Sequence, residues 1–155
     1  MFKTLLQGAA VALAFAATPA LACPDWTAAP NFGQVELSVG FHPDPHVVQV
    51  TAGGDQNLSS CLGQGYLGFV SVAPDFDLYW SGDSDRLIIA VESNIDTVML
   101  INDPNGNWLF NDDYRGLDAG IVIQNPAEGL YDIWVGTFSP DEAAPARLLI
   151  TELDY

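Results

Sequence analysis

Apolar and polar positions alternate over short runs along most of the chain, and Gly, Pro, Asn and Asp separate the runs. No stretch of a dozen residues after the leader carries a helical period. The runs are "VELSV" from Val35, "HVVQVT" from His46, "YLGFVSV" from Tyr66, "FDLYW" from Phe76 and "RLIIAVE" from Arg86. They continue with "DTVMLIN" from Asp96, "NWLFN" from Asn107, "GIVIQ" from Gly120, "LYDIWVGTF" from Leu130 and "RLLITEL" from Arg147. In "LYDIWVGTF", Tyr131, Ile133, Val135 and Thr137 take one face, and Leu130, Asp132, Trp134, Gly136 and Phe138 the other. In "RLLITEL", Leu148 and Ile150 oppose Leu149 and Thr151. About ten short strands at this spacing predict an all-β fold, an antiparallel β-sandwich or barrel. "FHPDPH" and "SPDEAAPA" read as surface loops, because proline has no place in the middle of a sheet.

The start of the chain breaks this pattern. "MFKTLLQGAAVALAFAATPALA" has one lysine, an apolar run and an Ala20-Leu21-Ala22 cleavage site, the form of a secretory signal peptide over residues 1–22. The chain after it, 23–155, has the length of one domain. Export places it in the periplasm or outside the cell. Cys23 at the new N-terminus raises lipidation as a second reading, although Ala20 stands where a lipobox normally has leucine. The leader also carries Lys3, the only lysine. Three arginines then face twenty Asp and Glu, a charge of three minus twenty, or −17. Such a surface repels nucleic acid and anionic membranes and attracts cations. The two cysteines, Cys23 and Cys61, are expected to pair in an oxidising compartment. That bond would close a loop of about forty residues and contribute ~4 kcal/mol in the chain-entropy model.

"INDPNGNWLFNDDYRG", Ile101 to Gly116, holds the densest polar signal. Asp103-Pro104-Asn105-Gly106 fits a type I turn, with Gly106 supplying positive φ. The hairpin register then runs Asn102–Trp108, Leu100–Phe110, Val98–Asp112 and Asp96–Tyr114. Val98, Leu100, Trp108 and Phe110 share one face, expected to be the core. Asp96 and Asp112 meet at the far end. The EF-hand pattern fails, because Trp108 and Tyr114 stand where it needs glycine and glutamate. Calcium remains a candidate at that acidic end, with Asp96, Asn111, Asp112, Asp113 and Asp118 as its oxygen ligands. The alternative is a solvated cap. Zinc is disfavoured by the lack of Cys and His there.

These segments resemble a known family. "DTVMLINDPNGNWLFNDD", "GLDAGIVIQNPAEGLYDIWVGTF" and "LLITEL" look like the bacterial pre-peptidase C-terminal domain. Asp96, Asp103 to Gly106, Asp112 with Asp113, and Gly129, Tyr131 and Val135 match its pattern. The chain also resembles small exported proteobacterial proteins that carry this module alone. The matching segments are Cys23 to Trp26, Val50 to Asp55 with Cys61, Tyr66 with Ala73 to Phe76 and Tyr79, and Tyr131 to Phe138. The resemblance implies a jelly-roll-like sandwich of about 8–10 strands, of the kind appended to secreted peptidases and other exported enzymes; it says little about activity, and such proteins sometimes carry peptidase names from the neighbouring domain. Several relatives carry a further cysteine where this chain has Phe110, so that pairing is not available here.

Catalysis finds little support in the residues. His42 and His46, in or beside "FHPDPH", are the only histidines, and Ser59 and Ser60 have no nucleophile elbow around them. A glycosidase-type pair, Asp96 with Asp112, lacks an obvious aromatic cleft. The reading is a non-catalytic exported module that binds a protein or glycan partner. A carbohydrate-binding module is the alternative, and a hydrolase or serine peptidase a third. Trp26, Trp80, Trp108 and Trp134 discriminate: exposed and coplanar rings favour sugar stacking, buried ones a structural or protein-binding role.

Overall fold

The computed structural model describes residues 23–155. The signal peptide read at 1–22 lies outside them. The strands are β1 (Gln34–Ser38), β2 (His46–Gly53), β3 (Gln56–Asn57), β4 (Phe69–Val70), β5 (Phe76–Ser81) and β6 (Arg86–Ser93). They continue as β7 (Thr97–Asn102), β8 (Trp108–Asn111), β9 (Gly120–Gln124), β10 (Gly129–Thr137) and β11 (Ala143–Thr151). One short helix, α1 (Leu58–Leu62), follows β3.

The strands form two sheets. The larger, sheet A, centres on β10, with β7 and β8 on one side. On the other side β5 and then β1 accompany its first half, and β4 and β3 take over at Thr137. Sheet B runs β2-β11-β6-β9. All pairings are antiparallel except β1 on β5, which is parallel. From β5 onward the chain passes back and forth between the sheets, apart from the β7–β8 hairpin, which stays in sheet A. The fold is an all-β sandwich.

Alternation dictates the core. Tyr131, Ile133 and Val135 of β10 and Met99 and Ile101 of β7 point inward from sheet A. They meet Leu148 and Ile150 of β11 and Leu87, Ile89 and Val91 of β6 from sheet B. Burying each such side chain stabilises by roughly 1.5–3 kcal/mol. The outer face of sheet B is crossed by the C-terminal tail. The Tyr155 hydroxyl hydrogen-bonds Glu92, and the Arg115 guanidinium lies 4.4 Å from the Tyr155 ring centre.

The outer face of sheet A carries a second apolar cluster: Val98, Leu100 and Trp134, packed by Leu58 of α1 and Val70 of β4. Trp108 and Phe110 lean on it. The predicted company of Val98, Leu100, Trp108 and Phe110 is therefore correct, but it faces this outer cluster and not the space between the sheets. Strand β7 is buried on both faces, so alternation alone does not say which face is the main core.

Three further departures have local causes. The predicted strand from Tyr66 contracts to Phe69–Val70. The expected loop "SPDEAAPA" instead contains the start of β11. Pro145 is tolerated in it because it pairs with Thr51 of β2 but precedes the β6 pairing, which begins at Ala146. Helix α1 is too short for a periodic signal; the Asn57 side chain caps it by accepting the Ser60 N–H at 3.1 Å.

Candidate functional site

The hairpin turn forms as predicted. The Asp103 N–H donates to the Asn107 carbonyl at 3.0 Å, the Gly106 N–H to the Asp103 carbonyl at 2.9 Å, and Gly106 sits at φ 78°. Asn102 pairs with Trp108 and Leu100 with Phe110, the predicted register. The Asp103 carboxylate accepts the Asn105 and Asn107 N–H groups at 2.9 and 2.8 Å, which closes the turn.

At the other end the ladder stops at Met99–Asn111, so the predicted Val98–Asp112 and Asp96–Tyr114 pairs are not part of it. The chain bends through a tight loop bridged between Arg115 and Asp118, and Thr97 pairs with that loop. The Thr97 N–H donates to the Leu117 carbonyl at 3.0 Å, and its hydroxyl accepts the Ala119 N–H at 3.0 Å. Asn111 and Asp118 are used for structure: their side-chain oxygens accept the Gly120 and Ser93 N–H groups, both at 3.1 Å. Burial, then Asp113, Asp112 and Glu142, holds the Asp96 carboxyl above its ordinary value. Among the described residues no group of three or more His, Cys, Asp or Glu is arranged to hold a metal ion.

His46 and the two serines belong to different elements on different sides of the sandwich. His46 begins β2 in sheet B, with its ring centre 6.3 Å from that of Phe76. Ser59 and Ser60 belong to α1 on the outer side of sheet A, and both hydroxyls hydrogen-bond Asn57 Oδ1.

A more distinctive arrangement crosses sheet A. Gln34 of β1, Asp77 of β5, Asp132 of β10, Asn102 of β7 and Trp108 of β8 lie in one row, each opposite the next across five strands. Strand alternation places the row on the outer face, one pleat beyond the cluster around Trp134. Helix α1 and β4 cover that cluster, and Asp132, Asn102 and Trp108 of the row border a groove of about 510 Å³ that is also lined by Trp26, Pro104 and Leu130.

Each wall has a local reason to stand where it does. Trp26 belongs to the N-terminal segment, which the Cys23–Cys61 bond ties to α1 with Cα atoms 5.6 Å apart. The Asp25 N–H donates to the Val72 carbonyl at 2.8 Å, and the Asn31 N–H to the Pro74 carbonyl at 2.8 Å. Buried Asp75 fastens the same layer: it accepts the Val135 N–H at 2.7 Å and the Asn31 amide at 3.3 Å, and burial pushes its carboxyl up to about 6. Trp108 packs on Trp134 with ring centres 5.5 Å apart. Pro104 lies against Gly129, where a Cβ would come within 2.8 Å of the proline ring, so the turn approaches β10 closely only because that residue is glycine. The Tyr131 hydroxyl donates to the Ala127 carbonyl at 2.9 Å and secures the loop that carries Glu128.

Of the four tryptophans, Trp80 and Trp134 are buried, Trp108 is half-buried and Trp26 is 54% exposed. Asp77 and Asp132 are only 6% and 4% exposed, and their carboxyls are within hydrogen-bonding reach of one another. Burial, then the Asp77 charge, pushes Asp132 up to about 7; burial also raises Asp77. Both carboxyls are therefore easier to protonate than a solvated aspartate. Sequence reasoning singled out Trp26 and Trp108 but not these two acids. Each stands among aromatic and aliphatic residues, in "FDLYW" and "LYDIWVG", the signal that marks an acid placed on a packed strand.

No family model and no curated protein matches the chain. Among solved structures it is similar to Aeromonas hydrophila PliG, a periplasmic lysozyme inhibitor of g-type lysozyme. The match has 14% sequence identity, covers 77% of this chain and 96% of that one, and has a TM-score of 0.39.

Proposed function

We propose that this chain is a non-catalytic exported β-sandwich that binds a partner in the groove on the outer face of sheet A. The observation that carries the reading is Trp26, 54% exposed on a segment fixed by a disulfide, beside a preformed groove. A large aromatic ring held rigidly in solvent is a favourable anchor for a ligand. The disulfide supports an oxidising compartment, periplasmic or extracellular. The motif likeness to the pre-peptidase C-terminal domain supports an accessory module without chemistry of its own. The placement of Ser59 and Ser60 in α1, away from His46 on β2, supports the same reading.

Binding screens with Trp26→Ala and Trp108→Ala test it. Both variants should keep a cooperative unfolding transition and lose affinity for the ligand that the unaltered chain captures. A casein-type turnover that disappears in His46→Ala would overturn it.

A carbohydrate is the second reading, because two tryptophans line the groove together with Asn102 and Asp132, and sugar rings stack on aromatic faces while their hydroxyls need such polar partners. Neutral oligosaccharides in the same screen address it.

A further inference from the structure

We infer that the groove accepts the guanidinium of an arginine presented by a basic polypeptide, with Asp132 as counter-ion and Trp26 and Trp108 as flanking walls. This rests on the groove being the binding site.

The argument begins with where positive charge already is. All three arginines of the described residues lie on the sheet B side. Arg86 pairs with Asp154 at 2.7 Å, Arg147 pairs with Glu92, and Arg115 covers the Tyr155 ring. The groove has no basic residue, yet Asp132, Asp103 and Glu128 all line it. Two of these acids are already engaged. Asp103 is closed on its own turn, and Glu128 Oε1 accepts the Gly82 N–H at 2.7 Å. Asp132 is the acid left to receive a ligand. Behind it Asp77 is 94% buried, and its Oδ1 finds no protein donor. Two buried carboxyls facing one another are costly when both are charged, and a bound cation relieves that cost.

The choice of arginine follows from the walls. A guanidinium is planar, stacks on an indole face and forks two N–H groups onto one carboxylate; an ammonium does only the last part of this, and as a point charge. The polypeptide follows from the net charge of −16 for the whole chain, which steers a basic macromolecule toward the surface before any contact forms.

Binding should be linked to pH. The groups facing Asp132 are Asp77 on β5, Asn102 on β7, Asp103 in the turn and Glu128 before β10; no basic charge acts on it. Guanidinium binding favours the ionised Asp132, which burial and Asp77 disfavour, so affinity falls on acidification.

The test is titration calorimetry with tetra-arginine, tetraglutamate and cellotetraose against the 23–155 protein with its disulfide intact. Asp132→Asn, Trp26→Ala and Trp108→Ala are compared with a charge-matched control, Asp141→Asn, in the remote loop before β11. Tetra-arginine should bind at pH 8 and bind about 30-fold more weakly at pH 5.5. Asp132→Asn should weaken it by about 30-fold or more and remove most of the pH dependence, while the control changes it less than about twofold. Equal losses in Asp132→Asn and Asp141→Asn would mean diffuse surface charge and overturn the inference, as would no binding of tetra-arginine. Cellotetraose binding that is lost in Trp26→Ala, with no effect of that variant on tetra-arginine, would keep the groove and remove the arginine. Indifference of every ligand to both tryptophan variants would remove the groove itself.

Discussion

Asp132 stands directly opposite Asp77 on adjacent antiparallel strands, and both carboxyls are buried beneath the open half of sheet A. Folded Asp132 keeps its proton up to about pH 7, whereas an unfolded aspartate releases it near pH 4. Between those values the folded chain binds more protons than the unfolded one. Stability therefore falls as pH rises through that window. Asp132→Asn should flatten the fall and be more stable than the unaltered chain at pH 8. Asp75 adds a slope of the same sign, centred lower, which the variant retains. Urea midpoints from pH 4.5 to 8 check this; parallel curves for the two proteins would refute it.

Removing the covalent tie should cost a large part of the total stability. Cys23→Ala with Cys61→Ala frees a loop spanning 38 positions and should lower stability by ~4 kcal/mol. Thermal unfolding of the unaltered protein with and without reductant should show a shift of similar size, and the double variant none.

Trp134 is fully buried in the outer cluster, with its Nε1–H directed at the Val72 carbonyl at 3.4 Å. Trp134→Ala should cost about 3–5 kcal/mol. It also removes the ring on which Trp108 rests, so groove binding should weaken even where the protein still folds. Chemical denaturation and the calorimetric titration measure the two effects separately.

Gly136 allows β4 to lie on β10, because a Cβ there would stand 2.1 Å from the Phe69 carbonyl oxygen. Gly136→Ala should destabilise by about 1–3 kcal/mol and loosen β4. Gly106→Ala meets no atom within 4 Å and strains only the turn, a cost of about 1 kcal/mol. Hydrogen exchange at Phe69 and Val70 should rise in the first variant and not in the second.

Asp96 is raised by its acidic neighbours as well as by burial, so neutralising it removes repulsion. Asp96→Asn should unfold at a higher temperature than the unaltered chain in chelator. We propose that calcium from solution screens the same repulsion, which Asp113, Asp112 and Glu142 exert on Asp96. Calcium should then raise the midpoint of the unaltered chain and leave the variant unchanged. An unaltered chain indifferent to calcium would remove the ion from this reading.

How much the sequence disclosed follows the range of each interaction. The turn at Asp103–Gly106 is decided by four adjacent residues, so its hydrogen bonds and the register of the first pairs beyond it were legible. Farther along, the loop from Asp112 to Asp118 displaces the ladder, because Thr97 finds its partner in Leu117 and Ala119 instead. Nothing in the local pattern announces that exchange. The faces of β10 were legible because Tyr131, Ile133 and Val135 alternate with a side that carries Asp132. For β7, apolar on both sides, alternation had no contrast to offer. The acid pair required knowing that "FDLYW" and "LYDIWVG" lie side by side in register, 55 positions apart. The polar row across five strands exists only once the whole sheet has formed.

One wall of the groove does not belong to the sandwich. Trp26 lies eight residues before β1, and its anchorage includes the bond between Cys23 and Cys61. Neither cysteine belongs to a strand: Cys23 precedes β1 and Cys61 lies in α1. Reduction therefore cuts no strand pairing directly and acts first on the segment that carries Trp26. The shape of the groove is thus coupled to the oxidation state of a single bond.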